Sequence, residues 1–190
     1  MREVLRRLYT EQPPTAPPPA TILDLGCGTG VAGAAWALAL ADFSQARPPT
    51  ILGCDANDWA VAEARHTFAD LGLRGGALRT EIARLRWPKG PLAAVAAFTI
   101  NELPHAQRQT LQKRLLDEAA AGGQVLVLEP LARPITKAWW DDWAAVFKKH
   151  GGRADEWHFD LPLPERMHVL GKAAGLNPRE LGARTLWLAR

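Results

Sequence analysis

Glycines and acids of a kind that bind ligands stand close together near the start of the chain. Gly26, Gly28 and Gly30 recur at every second position, and Asp24 precedes them. Glycine lets the backbone turn sharply and approach a ligand without interference from a Cβ. Asp55 follows 25 positions after Gly30, where a carboxylate is placed to accept hydrogen bonds from both hydroxyls of a ribose. The spacing predicts a nucleoside-containing ligand at this loop.

Polar residues suited to proton transfer form a second group, between positions 99 and 105. Asn101, Glu102 and His105 are the candidates for a catalytic role, and Glu102 or His105 has a side chain that can act as a general base. Asn101 and Glu102 are also suited to cap a following helix, and His105 to be an exposed residue at its start. Both interpretations stay open from the residues alone.

The elements that must position these residues alternate between apolar runs and helical patterns. This alternation predicts an α/β fold in which crossover helices join parallel strands. The glycines come directly after the first strand, and Asp55 directly after the second. The predicted strands are 21–25, 50–54, 77–82, 92–100, 124–129, 156–161 and 184–189, and the predicted helices are 1–9, 31–43, 58–71, 106–121, 135–150 and 165–174.

Residues 1–19 are predicted to be a short amphipathic helix and a proline-rich linker, because the run from Pro13 to Pro19 suits neither a helix nor a central strand. Residues 20–190 then form one domain. Within it, helical spacing places Trp139, Trp143 and Phe147 on a core stripe. Trp140 lies apart from that stripe and is the candidate for stacking on a ligand or a base.

The segment Asp24-Leu25-Gly26-Cys27-Gly28-Thr29-Gly30 resembles the glycine loop of the class I S-adenosylmethionine-dependent methyltransferases. The resemblance covers most of residues 20–190 in the order of elements. It implies a Rossmann-like, seven-stranded sheet of five parallel strands and a terminal pair, with helices on both faces. It also implies S-adenosylmethionine as cofactor, with Glu81 close to the adenine. The residues expected to bind the cofactor are Asp24, Gly26, Cys27, Gly28, Gly30, Asp55, Ala56, Glu81 and Asn101.

Charge favours this cofactor over a nicotinamide dinucleotide, whose glycine pattern the run from Gly26 to Gly33 also satisfies. A dinucleotide needs its pyrophosphate at the helix N-terminus, where Asp24 would repel it. S-adenosylmethionine has no phosphate and carries an ammonium and a sulfonium. We therefore expect Asp24 to face its amino-acid end, directly or through water. Asp55 does not discriminate, because both kinds of protein use such an acid.

A narrower resemblance is carried by Asn101-Glu102-Leu103-Pro104, by the segment from Gln124 to Pro130, and by Glu156-Trp157-His158-Phe159. These segments are similar to the methyltransferase-like ribosomal small-subunit assembly family, whose members act around small-subunit ribosomal RNA. The family's Trp-Cys-His-Phe stretch here lacks its cysteine. Cys27 and Cys54 cannot supply an iron–sulfur cluster or a four-thiolate zinc site on their own. We expect no metal and interpret both cysteines as packing residues.

The leading hypothesis is an active methyltransferase whose acceptor is RNA, ribosomal RNA included, ahead of a small molecule or a protein. A non-catalytic ribosome- or RNA-binding factor and a nicotinamide oxidoreductase are the alternatives. The net charge of +3 permits an RNA partner, and a basic stretch is either an RNA contact or a solvated face. We expect no membrane span, no secretory signal and a cytoplasmic location. The stretch contains Arg74, Arg79, Arg84, Arg86 and Lys89.

Overall fold

A seven-stranded sheet lies at the centre of the computed structural model, which describes residues 1–44, 47–131, 134–160, 164–175 and 180–189. The first five strands are parallel, whereas the last strand runs antiparallel to both of its neighbours. The strands are β1 (Thr21–Leu25), β2 (Thr50–Asp55), β3 (Gly75–Arg79), β4 (Ala93–Ala97), β5 (Gln124–Pro130), β6 (Arg153–Asp160) and β7 (Glu180–Ala189). Their order across the sheet is β3-β2-β1-β4-β5-β7-β6.

Helices cover both faces of this sheet, which confirms the predicted Rossmann-like α/β fold. One apolar cluster contains Trp36 and Phe68 from helices on the first face, and a second contains Leu115 and Phe147 from helices on the other. The helices of the described residues are α1 (Arg2–Glu11), α2 (Val31–Ser44), α3 (Asp58–Asp70), α4 (His105–Ala120), α5 (Pro134–Lys149) and α6 (Glu165–Ala173).

The order of the strands reverses between β1 and β4. The connections after these two strands leave toward opposite faces, and the divergence opens a crevice at their carboxyl ends. The loop with the three glycines follows β1, and the segment from 98 to 105 follows β4. The topology thus brings together the two groups of residues that the sequence singles out.

Helix α1 packs in the core, although the proline-rich linker separates it from the sheet in sequence. Val4, Leu5 and Leu8 are buried in the same cluster as Trp36 of α2. The Tyr9 hydroxyl donates to Gln124 Oε1 and accepts a 3.1 Å hydrogen bond from Trp36 Nε1. The helix is therefore part of the packed domain.

Four predicted strands have bounds that differ by more than one residue in the structure, and the seventh begins at Glu180, four residues earlier than predicted. The third strand stops at Arg79 rather than at 82, and Ile82–Arg84 forms a 3-10 turn instead. The fourth stops at Ala97 rather than at 100, because Phe98 turns the chain with a φ of 57° into a second 3-10 turn, Ile100–Glu102. The sixth begins at Arg153, three residues earlier than predicted, and its predicted end at 161 lies outside the described residues.

The prediction that Trp140 stacks on a ligand is wrong, because this side chain is only 6% exposed. Trp140, Trp143 and Phe147 form the buried face of α5, with the i, i+3, i+7 spacing of a helix stripe. Trp139 is half-buried and packs against the edge of the same cluster. The observed stripe therefore keeps Trp143 and Phe147 of the predicted one and contains Trp140 in place of Trp139.

No helix among the described residues has the length and apolar character needed to cross a membrane.

Candidate active site

The loop after β1 turns through three glycines with positive φ, +65° at Gly26, +51° at Gly28 and +81° at Gly30. A Cβ on Gly26 would lie 2.5 Å from Thr99 Cγ2, and a Cβ on Gly30 would lie 2.7 Å from Phe68 Cε1. Packing therefore requires glycine at both positions. A Cβ on Gly28 would meet nothing within 4 Å. The loop thus leaves its backbone open at Gly28, on the side of a cavity that this residue lines.

Asp55 at the end of β2 ties that loop to the neighbouring strand. Its Oδ2 accepts a hydrogen bond from the Gly28 N–H at 2.9 Å, and its Oδ1 accepts one from the Asn57 N–H at 2.9 Å. An ionised carboxylate has about four lone-pair positions, so both oxygens keep the capacity to accept from a ligand. The side chain lines the cavities on both sides of the loop, and Ala56 lines the smaller of the two.

Asp24 lies beneath the loop and is not among the residues that line either cavity. Side chains alternate along a strand, and Asp24 therefore faces α2, where its Oδ2 accepts the Gly33 N–H at 2.7 Å. Its other oxygen, Oδ1, is buried and has no hydrogen-bond partner within the chain. Burial raises the pKa of Asp24 to about 7, although the bond from Gly33 opposes that change.

The turn after β4 borders both cavities through Thr99 and Glu102. Thr99 Oγ1 lies 3.0 Å from the carbonyl oxygen of Ala97, 3.2 Å from that of Leu25 and 3.3 Å from that of Gly26, so its single O–H can donate to any one of the three. The side chain packs the turn against the glycine loop, since a Cβ on Gly26 would clash with it. Glu102 is exposed at the junction of the two cavities, where its carboxylate can reach a bound molecule.

A buried carboxylate holds this turn from below. Glu129 Oε1 accepts the Ile100 N–H at 2.8 Å, and its Oε2 accepts a hydrogen bond from Asn101 Nδ2. Asn101 Oδ1 in turn accepts from Trp139 Nε1 at 3.0 Å. Burial raises the pKa of Glu129 to about 7, while these hydrogen bonds and the nearby Arg184 act in the opposite direction.

Arg184 of β7 completes the buried network beside Glu129, its register partner on β5. Its guanidinium carbon lies 4.2 Å from the centre of the Trp140 ring and 5.9 Å from that of Trp139. A guanidinium over an aromatic face is attracted by the ring quadrupole. Burial lowers the pKa of Arg184, and Glu129 raises it.

The other predicted site residues are spread over this region. Gly26 and Cys27 line the larger cavity, and Glu81 lines the smaller one. Glu81 is exposed two residues beyond β3 and forms a 3.5 Å ion pair with Arg84. Burial raises the pKa of the Cys27 thiol well above its ordinary value, so this group is neutral. His105 is the exposed first residue of α4 and lines neither cavity.

Sequence reasoning did not single out Phe98, Thr99 or Arg184 as residues of the site, and it treated Glu129 as a possible border of the pocket with a structural role favoured. Glu129 and Arg184 carry a detectable signal, since each charged residue adjoins apolar strand residues, and such charges are rarely buried unless they are paired. Phe98 and Thr99 carry none, because their roles depend on a positive φ and on the approach of a distant loop.

The two cavities adjoin and together follow the carboxyl ends of β1, β2 and β4. The larger has a volume of about 520 Å³, within the size range of small-molecule sites, and the smaller adds about 260 Å³. No lysine, arginine or histidine is among the described residues that line them. The lining that they share consists of Gly26, Asp55, Thr99 and Glu102.

The sheet has five parallel strands followed by a terminal pair, with β7 antiparallel between β5 and β6, and this is the sheet expected of a class I methyltransferase. The chain belongs to the family described as Methyltransferase domain, whose model matches residues 22–123, more than half of its length. It is therefore a methyltransferase. No protein with a curated description matches the chain in sequence.

Solved structures share this fold at low sequence identity. The chain is similar to a proposed RNA methyltransferase from Pyrococcus horikoshii, with 14% identity, a TM-score of 0.57, and coverage of 99% of this chain and 82% of that one. It is equally similar to the YcgJ protein from Bacillus subtilis, with 14% identity, a TM-score of 0.57 and coverage of 100% and 99%. A proposed class I S-adenosylmethionine-dependent methyltransferase from Listeria monocytogenes gives 14% identity, a TM-score of 0.60 and coverage of 100% and 58%.

Proposed function

We propose that the protein transfers a methyl group from S-adenosylmethionine, which binds along the two adjoining cavities, to an acceptor that enters the larger one. The observation that carries this proposal is the open backbone at Gly28, placed beside the Asp55 carboxylate. Asp55 would hold the ribose hydroxyls, and the Gly26–Gly30 loop would face the amino-acid end.

The charges of the site fit this cofactor. Asp55 and Glu102 line the cavities, Asp24 lies beneath the loop, and no cationic side chain is among the described lining residues. An acidic lining suits a ligand that carries an ammonium and a sulfonium, and it opposes a pyrophosphate. The Asp24 Oδ1 is buried without a partner in the chain, and Asp24 lines neither cavity, so its carboxyl group adds to the acidic surroundings of the loop without touching a ligand there. A nicotinamide dinucleotide is therefore the poorer fit.

The reaction needs alignment of the acceptor and, for some acceptors, removal of a proton. When bound, S-adenosylmethionine supplies a methyl carbon on a positively charged sulfur, which leaves as a neutral thioether. The turn from Phe98 to Glu102 forms one wall of the space where the acceptor would sit. Glu102 is the carboxylate of that turn that can take a proton from the acceptor, while an acceptor that is already a good nucleophile requires only orientation.

Calorimetric titration with S-adenosylhomocysteine tests the proposal. We expect micromolar binding, which corresponds to about 8 kcal/mol, and a loss of at least about tenfold in Asp55→Ala. Asp58→Ala is the matched control, because Asp58 is an exposed acid three positions later that pairs with Arg79. Equal affinities in the wild type and Asp55→Ala, or preferential binding of a nicotinamide dinucleotide, would contradict the proposal.

The acceptor, a ribosomal partner and a cytoplasmic location stay predictions. The basic stretch does not form one continuous surface of unpaired cations. Arg79 pairs with Asp58 and Arg84 with Glu81, and Arg74 lies just before the start of β3, at the other end of the strand from Arg79. An RNA acceptor requires binding that weakens steeply with salt. Transfer of labelled methyl groups into any cellular fraction would separate an active enzyme from a non-catalytic binding factor.

A further inference from the structure

The larger cavity is walled mainly by apolar side chains on the side away from Asp55. Phe98 comes from the turn after β4, Leu128 from β5, Phe159 from β6 and Leu181 from β7, while Val4 of α1 closes a further side. Five separate elements thus contribute apolar groups to one space. A polar or charged body placed there would lose its hydration without compensating hydrogen bonds.

Phe98 has an unusual backbone conformation at this wall. Its φ of 57° makes it the one non-glycine residue with positive φ among those that the structure describes. A bulky side chain is strained in that region, and such strain commonly marks a functional position. The Phe98 N–H donates to the Leu128 carbonyl at 2.7 Å, which holds the strained turn. The ring is 55% exposed and lines the cavity, so it is presented to a ligand rather than packed in the core.

Charge restricts the ligand further. The ionisable groups among the described lining of this cavity are the carboxylic acids Asp55 and Glu102, the neutral thiol of Cys27 and the Met1 amino group, whose pKa burial lowers. Anionic acceptors would be repelled by the two carboxylates and would find no cationic side chain in the described lining. The wall therefore selects against phosphates and carboxylates and favours an uncharged acceptor.

We propose that the methyl acceptor is a small, uncharged molecule with a planar apolar body, held against Phe98 and Phe159. This inference rests on the proposed methyl transfer. The acceptor's nucleophilic atom donates an electron pair to the methyl carbon, the carbon–sulfur pair remains on the departing thioether, and an acceptor O–H, N–H or S–H gives its proton to Glu102 and then to water. An RNA nucleotide carries a phosphate that this wall does not accommodate.

Fluorescence titration with two matched probes tests the site in the presence of saturating S-adenosylhomocysteine, whose binding is established first and separately. N-phenyl-1-naphthylamine is neutral, and 1-anilinonaphthalene-8-sulfonate has the same skeleton with one negative charge. We expect saturable binding of the neutral probe, at least about tenfold weaker binding of the sulfonate, and a loss of at least about fivefold for the neutral probe in Phe98→Ala. Phe98→Leu keeps an apolar but non-planar group. Its affinity for the neutral probe is expected to lie between that of the wild type and that of Phe98→Ala.

Trp59→Ala is the control variant, because Trp59 is an aromatic residue of α3 that is 65% exposed and does not line the cavity. It is expected to bind both probes as the wild type does. The inference is overturned if Phe98→Ala binds the neutral probe unchanged or if the sulfonate binds as tightly as the neutral probe.

A second experiment follows the labelled methyl group from S-adenosylmethionine in a cell extract. Label in the solvent-extractable small-molecule fraction, reduced in Phe98→Ala, supports the proposal. Label in RNA overturns it while leaving the proposed methyl transfer intact.

Discussion

Two carboxyl groups beneath the active site are buried in different ways. Glu129 accepts two hydrogen bonds from the turn after β4 and lies beside Arg184. Asp24 accepts one bond from Gly33 and has a second oxygen without a partner in the chain. Burial raises the pKa of both to about 7. Asp24 is the simpler case to test, because it has no cation beside it to offset its charge.

The stability of the cofactor-free protein is expected to depend on pH through Asp24. Since its folded pKa lies above the ~3.9 of an unfolded aspartate, the folded protein holds more protons between about pH 4 and pH 7, and the free energy of unfolding falls as the pH rises through that window. Asp24→Asn keeps the shape of the protonated acid. We expect the difference in melting temperature between this variant and the wild type to widen from pH 5 to pH 8, with the variant at least about 2–4 °C higher at pH 8, about 1 kcal/mol at this size.

Thermal melts of both proteins from pH 5 to pH 8 provide the measurement. Glu129 is present in both, so its contribution cancels in the difference. Parallel curves would mean that Asp24 is already ionised in the folded protein at pH 5.

At the scale of elements, a glutamate carboxylate accepts a hydrogen bond from a backbone N–H at each end of β4. Glu129 accepts the Ile100 N–H after the strand, and Glu118 accepts the Leu92 N–H before it, at 2.7 Å. The two carboxylates make the same kind of hydrogen bond at opposite ends of β4. Only the first of them holds the turn whose flanking residues, Thr99 and Glu102, border the cavities.

Glu129→Gln is expected to weaken binding of S-adenosylhomocysteine by about 5- to 20-fold. Its amide N–H₂ would face the Asn101 Nδ2 donor, and turning Asn101 over would break the bond from Trp139 Nε1. Leaving such a buried donor unsatisfied costs about 1–3 kcal/mol. Calorimetry on Glu129→Gln and on the control Glu118→Gln checks this, with denaturation to follow stability. Both variants are expected to lose stability, and equal losses of affinity would refute a positioning role.

At the scale of the whole molecule, helix α1 joins the core across the proline-rich linker. Leu5 and Leu8 are fully buried beside Trp36, and Val4 closes one side of the larger cavity. A helix of 10 residues is marginal in water by itself. Its stability therefore comes from packing against α2 and the sheet.

Leu5→Ala is expected to lower the free energy of unfolding of the whole domain by about 2–5 kcal/mol, the usual cost of emptying a buried leucine site. Arg6→Ala is the control on the same helix, because Arg6 is exposed and pairs only with Glu3, and exposed pairs contribute about 0–1 kcal/mol. Urea denaturation followed by tryptophan fluorescence gives both values. A separate early transition for α1, with the main transition unchanged, would show that the helix is not part of the cooperative unit.

The order and type of the elements followed from the sequence, and so did the meeting of the glycine loop with the segment after β4. Apolar runs that stop at glycines, and an N-cap such as Asn57, which accepts from the Trp59 and Ala60 N–H groups, are local signals that neighbouring residues impose. The family loop could likewise be identified from seven consecutive residues. Class and fold are therefore properties that the chain carries in its local pattern.

Tertiary structure alone decided the directions of the side chains. Strand alternation and the close approach of Gly33 turned Asp24 beneath the loop. Packing of α5 buried Trp140 together with Trp143 and Phe147, and the buried Glu129 holds Asn101 away from the cavities. The strained Phe98 became a wall of the larger cavity because β5 and the glycine loop constrain the turn on either side. These outcomes depend on contacts between residues far apart in the chain, whose packing no local pattern encodes.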